Sequence, residues 1–410
     1  MMLNLPIQDN FLGVEVRPEV QLLLYCARLN INSATRTHIH ALAQQPLNWS
    51  FLIQLAKVHG VLPLLYRNLN QTIPALVPHY LLTQLQQYFR ANTQQNFLLT
   101  QELFRLLTLF EQHAIRVLPF KGIVLATTAY GNLSLRHITD LDLLVDPSAV
   151  ESAKSLLLSQ GYELRVNVPW EMHLIRPDQS YIYNVDLHST IVPKHLSHPL
   201  QSQDIWQQVH LLTIGNRPIP NLSAEMTLLV LCLNGTKDGW RGLNRICDIA
   251  ALIQTQALNW QIVMQQAQAL RMQRLIGVGL QLASVLLELE LPELVQQWLQ
   301  RDRAIAKLTT DIQQILLTQL PIPLSEVARS LFHIRSRENL RDQYSSFVGL
   351  MEHSGWLTPT PEDRDFVTLP TQLEFLYYLI RPVRILKKYG IAKQKQLMID
   401  HAALTLDDEP

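Results

Sequence analysis

Residues 116–146 read RVLPFKGIVLATTAYGNLSLRHITDLDLLVD, and the fold turns on this stretch. The apolar run Ile115–Phe120 has strand character and ends at Lys121-Gly122. A helix-like run over 123–130 follows and closes at Tyr130-Gly131-Asn132. Beyond a polar connection, Asp140-Leu141-Asp142 leads into Leu143-Leu144-Val145. Residues i and i+2 of a strand share a face, so a strand over 140–146 points Asp140 and Asp142 the same way. Carboxylates set into an apolar strand are costly to desolvate unless they are paired or hold a metal. Two acids side by side at the mouth of such a strand are therefore candidate ligands for a divalent cation.

Working outward, Ser148 opens an amphipathic helix through Gln160 that Gly161 stops. Tyr162–Val168 and Ser180–Ile191 read as further strands. Upstream, residues 17–30 are helical and 34–45 form a polar helix or loop. Asn48 or Ser50 caps the next helix, and Gly60 and Pro63 split that run in two. Residues 78–114 place Leu81, Leu85, Tyr88, Phe89 and Leu103 at helical spacing, as one long helix or two abutting ones. After Pro220 the chain is helical again, from 223–235 through 324–334 and over 371–388, with Gly355–Pro370 as a loop. Strands alternate with helices only between about 114 and 220, in the order helix, strand, helix, strand, helix, strand, strand. The fold class is thus α+β: a small mixed-sheet core over 96–220, between an N-terminal helical region over 1–95 and a C-terminal helical domain over 221–410.

Composition narrows the function. The chain has 410 residues, 48% of them hydrophobic and 17% charged, with a formal net charge of zero. It has ample material for a core, and the zero net charge argues against a surface that grips nucleic acid all over while leaving room for a local basic patch. Three cysteines without a CxxC pair fit reduced thiols in a cytoplasm. The N-terminus carries no basic n-region or long apolar h-region, and apolar runs such as Met226–Leu233 are too short to span a membrane.

A third acid, Asp186, lies in Tyr183-Asn184-Val185-Asp186-Leu187-His188, again on a strand-like run. A helix and a returning hairpin fit between Asp142 and Asp186, so a neighbouring strand can bring the three carboxylates together. Such a set can hold two Mg²⁺ (or Mn²⁺) ions, which neutralise phosphate charge and activate an attacking oxygen. Lys121-Gly122 begins a helix, where backbone N–H groups and a lysine charge suit phosphate. It is not a Walker A loop, because the GxxxxGK[ST] spacing is absent. Arg136, on the connection before the acids, can reach a triphosphate or a substrate carboxylate.

Lys121-Gly122, then Tyr130-Gly131, Leu135-Arg136 and Asp140-Leu141-Asp142-Leu143-Leu144-Val145, resembles the bacterial uncharacterised nucleotidyltransferase family of the polymerase-beta-like nucleotidyltransferase superfamily. The resemblance continues at Val185-Asp186-Leu187-His188, at Lys237, Trp240, Leu243 and Asp248, and at Tyr377–Arg384, covering roughly residues 50–390. It implies a metal-dependent enzyme that transfers a nucleoside monophosphate from an NTP to an acceptor, with pyrophosphate released. The acceptor is left open among a small molecule, a peptide or protein, and RNA, as is the oligomeric state. Asp140 and Asp142 are then the ligands of both metals, and Asp186 is the third acid that helps the acceptor hydroxyl lose its proton. Lys121, Gly122, Arg136 and Lys237 form the nucleotide-binding set. Two positions depart from the resemblance: Lys121-Gly122-Ile123 stands where the wider superfamily favours a Gly-Ser or Gly-Gly turn, and Lys237-Asp238 stands where relatives often have Lys-His. The alternative is a non-catalytic nucleotide- or partner-binding module on the same scaffold.

Other motifs carry less. His188, His195 and His198 are candidate metal ligands that read more simply as surface residues, and no HExxH, zinc cysteine set or GxSxG elbow is present. Arg381, Arg384, Lys387, Lys388, Lys393 and Lys395 make the C-terminal end basic, which fits a solvated helix face better than a polyanion site.

Overall fold

In the computed structural model, residues 10–11, 14–178, 181–191, 200, 202–318, 326–353, 361–377, 380 and 384 are described. His195, His198, Arg381, Lys387, Lys388, Lys393 and Lys395 lie outside them. The chain forms two compact units, Met1–Pro193 with His198–Leu340, and Lys194–Ser197 with Arg341–Pro410.

The first unit opens with a two-residue hairpin, β1 (Asn10–Phe11) and β2 (Val14–Glu15), and then turns helical: α1 (Pro18–Cys26), α2 (Ser33–Ala43), α3 (Trp49–Val58), α4 (Leu62–Thr72) and α5 (His79–Gln112). Asn32 and Asn48 cap α2 and α3 by accepting from Thr35 N and Phe51 N. Gly60, at φ +68°, makes the break before α4. The run over 78–114 is one unbroken helix of 34 residues, about 50 Å long.

The sheet follows: β3 (Val117–Pro119), α6 (Gly122–Thr128), β4 (Leu141–Val145), α7 (Val150–Ser159), β5 (Glu163–Val168), β6 (Glu171–Pro177) and β7 (Ile182–His188). Its order is β3-β4-β7-β6-β5. Only β4 and β7 run parallel, and the other pairs are antiparallel. Strand β6 fills the gap that the sequence pattern left between β5 and β7. Its inward residues Met172 and Leu174 alternate with Glu171 and His173, so its outer face is polar and the apolar signal is thin. A short helix α8 (Ser202–Trp206) and a second hairpin, β8 (Val209–Ile214) and β9 (Arg217–Leu222), precede the C-terminal helices. These are α9 (Ala224–Lys237), α10 (Leu243–Thr255), α11 (Trp260–Ala269), α12 (Gln273–Leu287), α13 (Glu293–Leu299), α14 (Arg303–Thr318) and α15 (Glu326–Arg335).

Two apolar cores organise this unit. One face of the sheet (Leu141, Leu143, Val145, Val185, Leu187, Met172 and Leu174) packs with Leu99, Leu103, Leu106 and Phe110 of α5 and Leu157 of α7. The larger core joins α1–α4 to α9–α14, and Leu118, Phe120 and Leu144 enter it from the other sheet face. That second face also carries the acids. The architecture is therefore α+β, a five-stranded mixed sheet with helical regions on both sides in sequence. In the second unit, α16 (Leu340–His353) and α17 (Pro361–Phe366) precede a 3₁₀ turn over Thr371–Leu376, and Tyr377 Oη donates to Val367 O and accepts from Leu369 N. No helix among the described residues is long and apolar enough to cross a membrane.

Candidate active site

Strand register assembles the site. Asp142 pairs with Asp186 across the parallel β4–β7 ladder, and Asp186 pairs with His173 across β7–β6. Phe120 N donates to Asp142 O from the other side. One row across the sheet is thus Phe120, Asp142, Asp186, His173. Two residues further along, the row on the same face is Leu118, Leu144, His188, Glu171. Asp140 sits just before β4, two residues from Asp142 on the same side. The parallel register makes this possible: it sets the second residue of β4 beside the fifth residue of β7 on one face of the sheet.

The carboxylates differ in surroundings. Asp142 accepts from Lys121 Nζ at 3.0 Å and lies 3.1 Å from His188 Nε2. Burial would raise its carboxyl, but the charge of Lys121 and the contact with His188 outweigh that and hold it well below the usual carboxylate range. Asp140 is pushed up to about 6 by burial and by Asp142 and Asp186, against the lesser pull of Lys121 and Arg136. Asp186 is also raised, by burial first, although His173 Nδ1 at 2.6 Å opposes the shift. One ligand atom each from Asp142, Asp186 and His188 lies within 4.8 Å of the others, close enough to share one cation. The oxygen donors suit a hard divalent ion, and the lysine ammonium on Asp142 shows the carboxylate in contact with a positive charge.

Lys121 stands at φ +62° and Gly122 at φ +35°, so both residues of the turn adopt the left-handed backbone. For a lysine this is strained, and it aims the side chain back over Phe120, with Nζ 4.7 Å from the ring centroid, onto Asp142. Lys237 ends α9 with Nζ 3.5 Å from Glu171 Oε2. Glu171 Oε2 in turn lies 3.7 Å from His188 Nδ1. Asp238 is held by the Arg245 guanidinium.

Arg136 is placed differently from a free phosphate ligand. Its Nε and one terminal nitrogen each donate to Asp248 at 2.9 Å, and Tyr130 Oη donates to the same carboxylate at 2.8 Å. This buried Arg–Asp–Tyr cluster ties the connection before β4 to α10. The charge of Arg136 still lowers the Asp140 carboxyl.

Sequence reading gave several contributors too little weight or passed over them. His188 is buried at 3% exposure and does not behave as a surface residue. His173 and Glu171 belong to the strand that the pattern did not reveal. Three amides on α5 clamp the connection that leads to Asp140: Asn92 Nδ2 donates to Ser134 O and Arg136 O, Gln95 Nε2 to Ile138 O, and Asn96 Nδ2 to Leu133 O and Arg136 O. The signal was present as polar residues at i, i+3 and i+4 on the helix stripe that should be apolar.

The uncharacterised nucleotidyltransferase family model matches residues 45–288, more than half of the chain. The chain belongs to the uncharacterised nucleotidyltransferase family. The matched residues contain every candidate acid and base of the site, from Lys121 to Lys237, and the Arg136–Asp248 cluster with them. No curated protein and no solved structure matches the chain.

Proposed function

We propose that the protein is a cytoplasmic enzyme that transfers a nucleoside monophosphate from an NTP to an acceptor and releases pyrophosphate, using two Mg²⁺ or Mn²⁺ ions. The observation that carries the reading is the register pairing of Asp142 with Asp186, with Asp140 beside them. It supports an enzyme over a non-catalytic module, because it puts a third acid at the pair. Asp140, Asp142 and Asp186 would hold the metal, which when bound neutralises phosphate charge and activates the attacking oxygen.

The chain's own groups supply the rest. Lys121 and Lys237 bring positive charge to the edge of the acid row, where the phosphates of an NTP would lie, and the Lys121-Gly122 turn offers them backbone N–H groups. Arg136, its orientation fixed by Asp248, would add positive charge near Asp140. Asp186, held by His173, is the proton acceptor for the incoming hydroxyl. The 96–220 core would carry the chemistry, and the helical regions would shape the acceptor site. The buried free thiols Cys26, Cys232 and Cys247 fit a reducing compartment.

The test is incubation with α-labelled NTPs, Mg²⁺ or Mn²⁺ and cell extract, followed by identification of what carries the label. Asp142→Asn should abolish labelling while the protein stays folded. Full labelling by that variant would overturn the reading.

A further inference from the structure

The acid row has a feature that an all-oxygen Mg²⁺ site does not need. His188 lies in the next row, 3% exposed, with the edge of its ring against Phe120 at a centroid distance of 5.1 Å. Its Nε2 faces Asp142 Oδ1 at 3.1 Å, and its Nδ1 has no hydrogen-bond partner among the described residues. Glu171 Oε2 stands 3.7 Å behind Nδ1, itself 3.5 Å from Lys237 Nζ. Consider the two neutral tautomers. With the proton on Nε2, the imidazole donates to Asp142, and Nδ1 becomes a bare lone pair buried opposite a second carboxylate. With the proton on Nδ1, that nitrogen points a donor at Glu171, but the Nε2 lone pair then faces a carboxylate oxygen. A cation between Asp142, Asp186 and Nε2 removes the conflict, because it accepts the Nε2 lone pair and leaves Nδ1–H for Glu171. A carboxylate behind the far nitrogen is the usual way a ligating histidine is fixed.

We infer that His188 is a metal ligand, held in the ligating tautomer by Glu171, and that this nitrogen donor makes the site prefer Mn²⁺, or another first-row transition ion, over Mg²⁺. The inference rests on the metal-dependent reading above and refines it. Imidazole favours transition ions, whereas Mg²⁺ favours oxygen donors and keeps its water. Lys121 Nζ, now on Asp142 Oδ1 at 3.0 Å, is the group such an ion would displace.

The experiment is metal binding without nucleotide on the full chain, by calorimetry with Mn²⁺ and with Mg²⁺ and by pulsed EPR of the bound Mn²⁺. Wild type should bind Mn²⁺ about tenfold or more tighter than Mg²⁺ and show ¹⁴N coupling to the ion. His188→Asn should lose the coupling and bring the two affinities together. Glu171→Gln, at a partly exposed position, should weaken Mn²⁺ about tenfold while Mg²⁺ changes little. His173→Asn should keep the coupling, which separates the two histidines. Should His188→Asn fail to fold, the wild-type coupling with the Glu171 and His173 variants decides alone. Mn²⁺ bound in an Asp142-dependent way, without nitrogen coupling and with the affinity of Mg²⁺, overturns the inference and leaves the enzyme reading standing. Metal binding unaffected by Asp142→Asn sinks the enzyme reading instead.

Discussion

The Arg136–Asp248 pair allows a prediction whose size follows from burial. Their side chains are 14% and 4% exposed, and three hydrogen bonds converge on the Asp248 carboxylate. Asp248→Asn keeps the shape and removes the counter-charge, leaving a guanidinium buried beside a neutral amide. Breaking one side of a buried pair costs about 3–5 kcal/mol, a large part of the ~5–15 kcal/mol that holds a protein folded. Arg136→Met strands Asp248 in the same way, with Tyr130 the remaining side chain among the described residues to hydrogen-bond it. Replacing both, as Arg136→Met with Asp248→Leu, removes both charges, so the remaining penalty is the orphaned Tyr130 hydroxyl, roughly 1–3 kcal/mol. The singles should therefore each cost more than the double. Urea unfolding followed by tryptophan fluorescence gives the cycle, and Tyr130→Phe in the double background should recover part of the residue. Singles that cost under about 1 kcal/mol, or a double equal to their sum, would refute the argument. The double should also fold without regaining nucleotidyl transfer, because the charge that pulls on Asp140 has gone with Arg136.

Three further outcomes are expected. Lys121→Ala and Lys121→Gly both delete the amine on Asp142, but only alanine keeps a side chain at φ +62°, so the alanine variant should be about 1 kcal/mol less stable by chemical denaturation. Gly235→Ala should destabilise by about 1–3 kcal/mol, since a Cβ there would meet the ring of Trp240 at 2.4 Å and that ring is fully buried. His59 is buried and its Nδ1 accepts from Leu243 N at 3.3 Å, and burial lowers it to about 4 from an ordinary 6.5. The unfolded chain binds that proton first, so stability is unaffected above about pH 6.5 and falls by up to about 3 kcal/mol as pH drops toward 4. His59→Gln should flatten that part of the pH–stability curve.

Two kinds of information set how much of this was legible in the sequence. Helices α9 to α15 lie within a few residues of their expected spans: α10 to α14 bury apolar residues at helical spacing, and α9 is apolar and buried on nearly every side. Strand β4 was equally plain, since its inward face is Leu141, Leu143 and Val145 and its acids sit at i and i+2. Strand β6 was not, and the reason is the site itself. A strand that lends one face to a polar site keeps few apolar residues, and in β6 the alternation rests on Met172 and Leu174 against Glu171 and His173. The same cause hid His188, which reads as one histidine among three near a loop until the parallel register sets it one row behind Asp142. Local pattern names the acids because they interrupt an apolar run. It does not name the groups that tune them, since Lys121, His188 and His173 reach the carboxylates only through strand pairing and one strained turn. Arg136 shows a different limit of local pattern. Its place in the chain, just before two acids, pointed to a phosphate, yet its nearest opposite charge comes from a helix 112 residues further on. Sequence proximity finds ligands that lie on one strand, and tertiary pairing decides which charges remain available to a substrate.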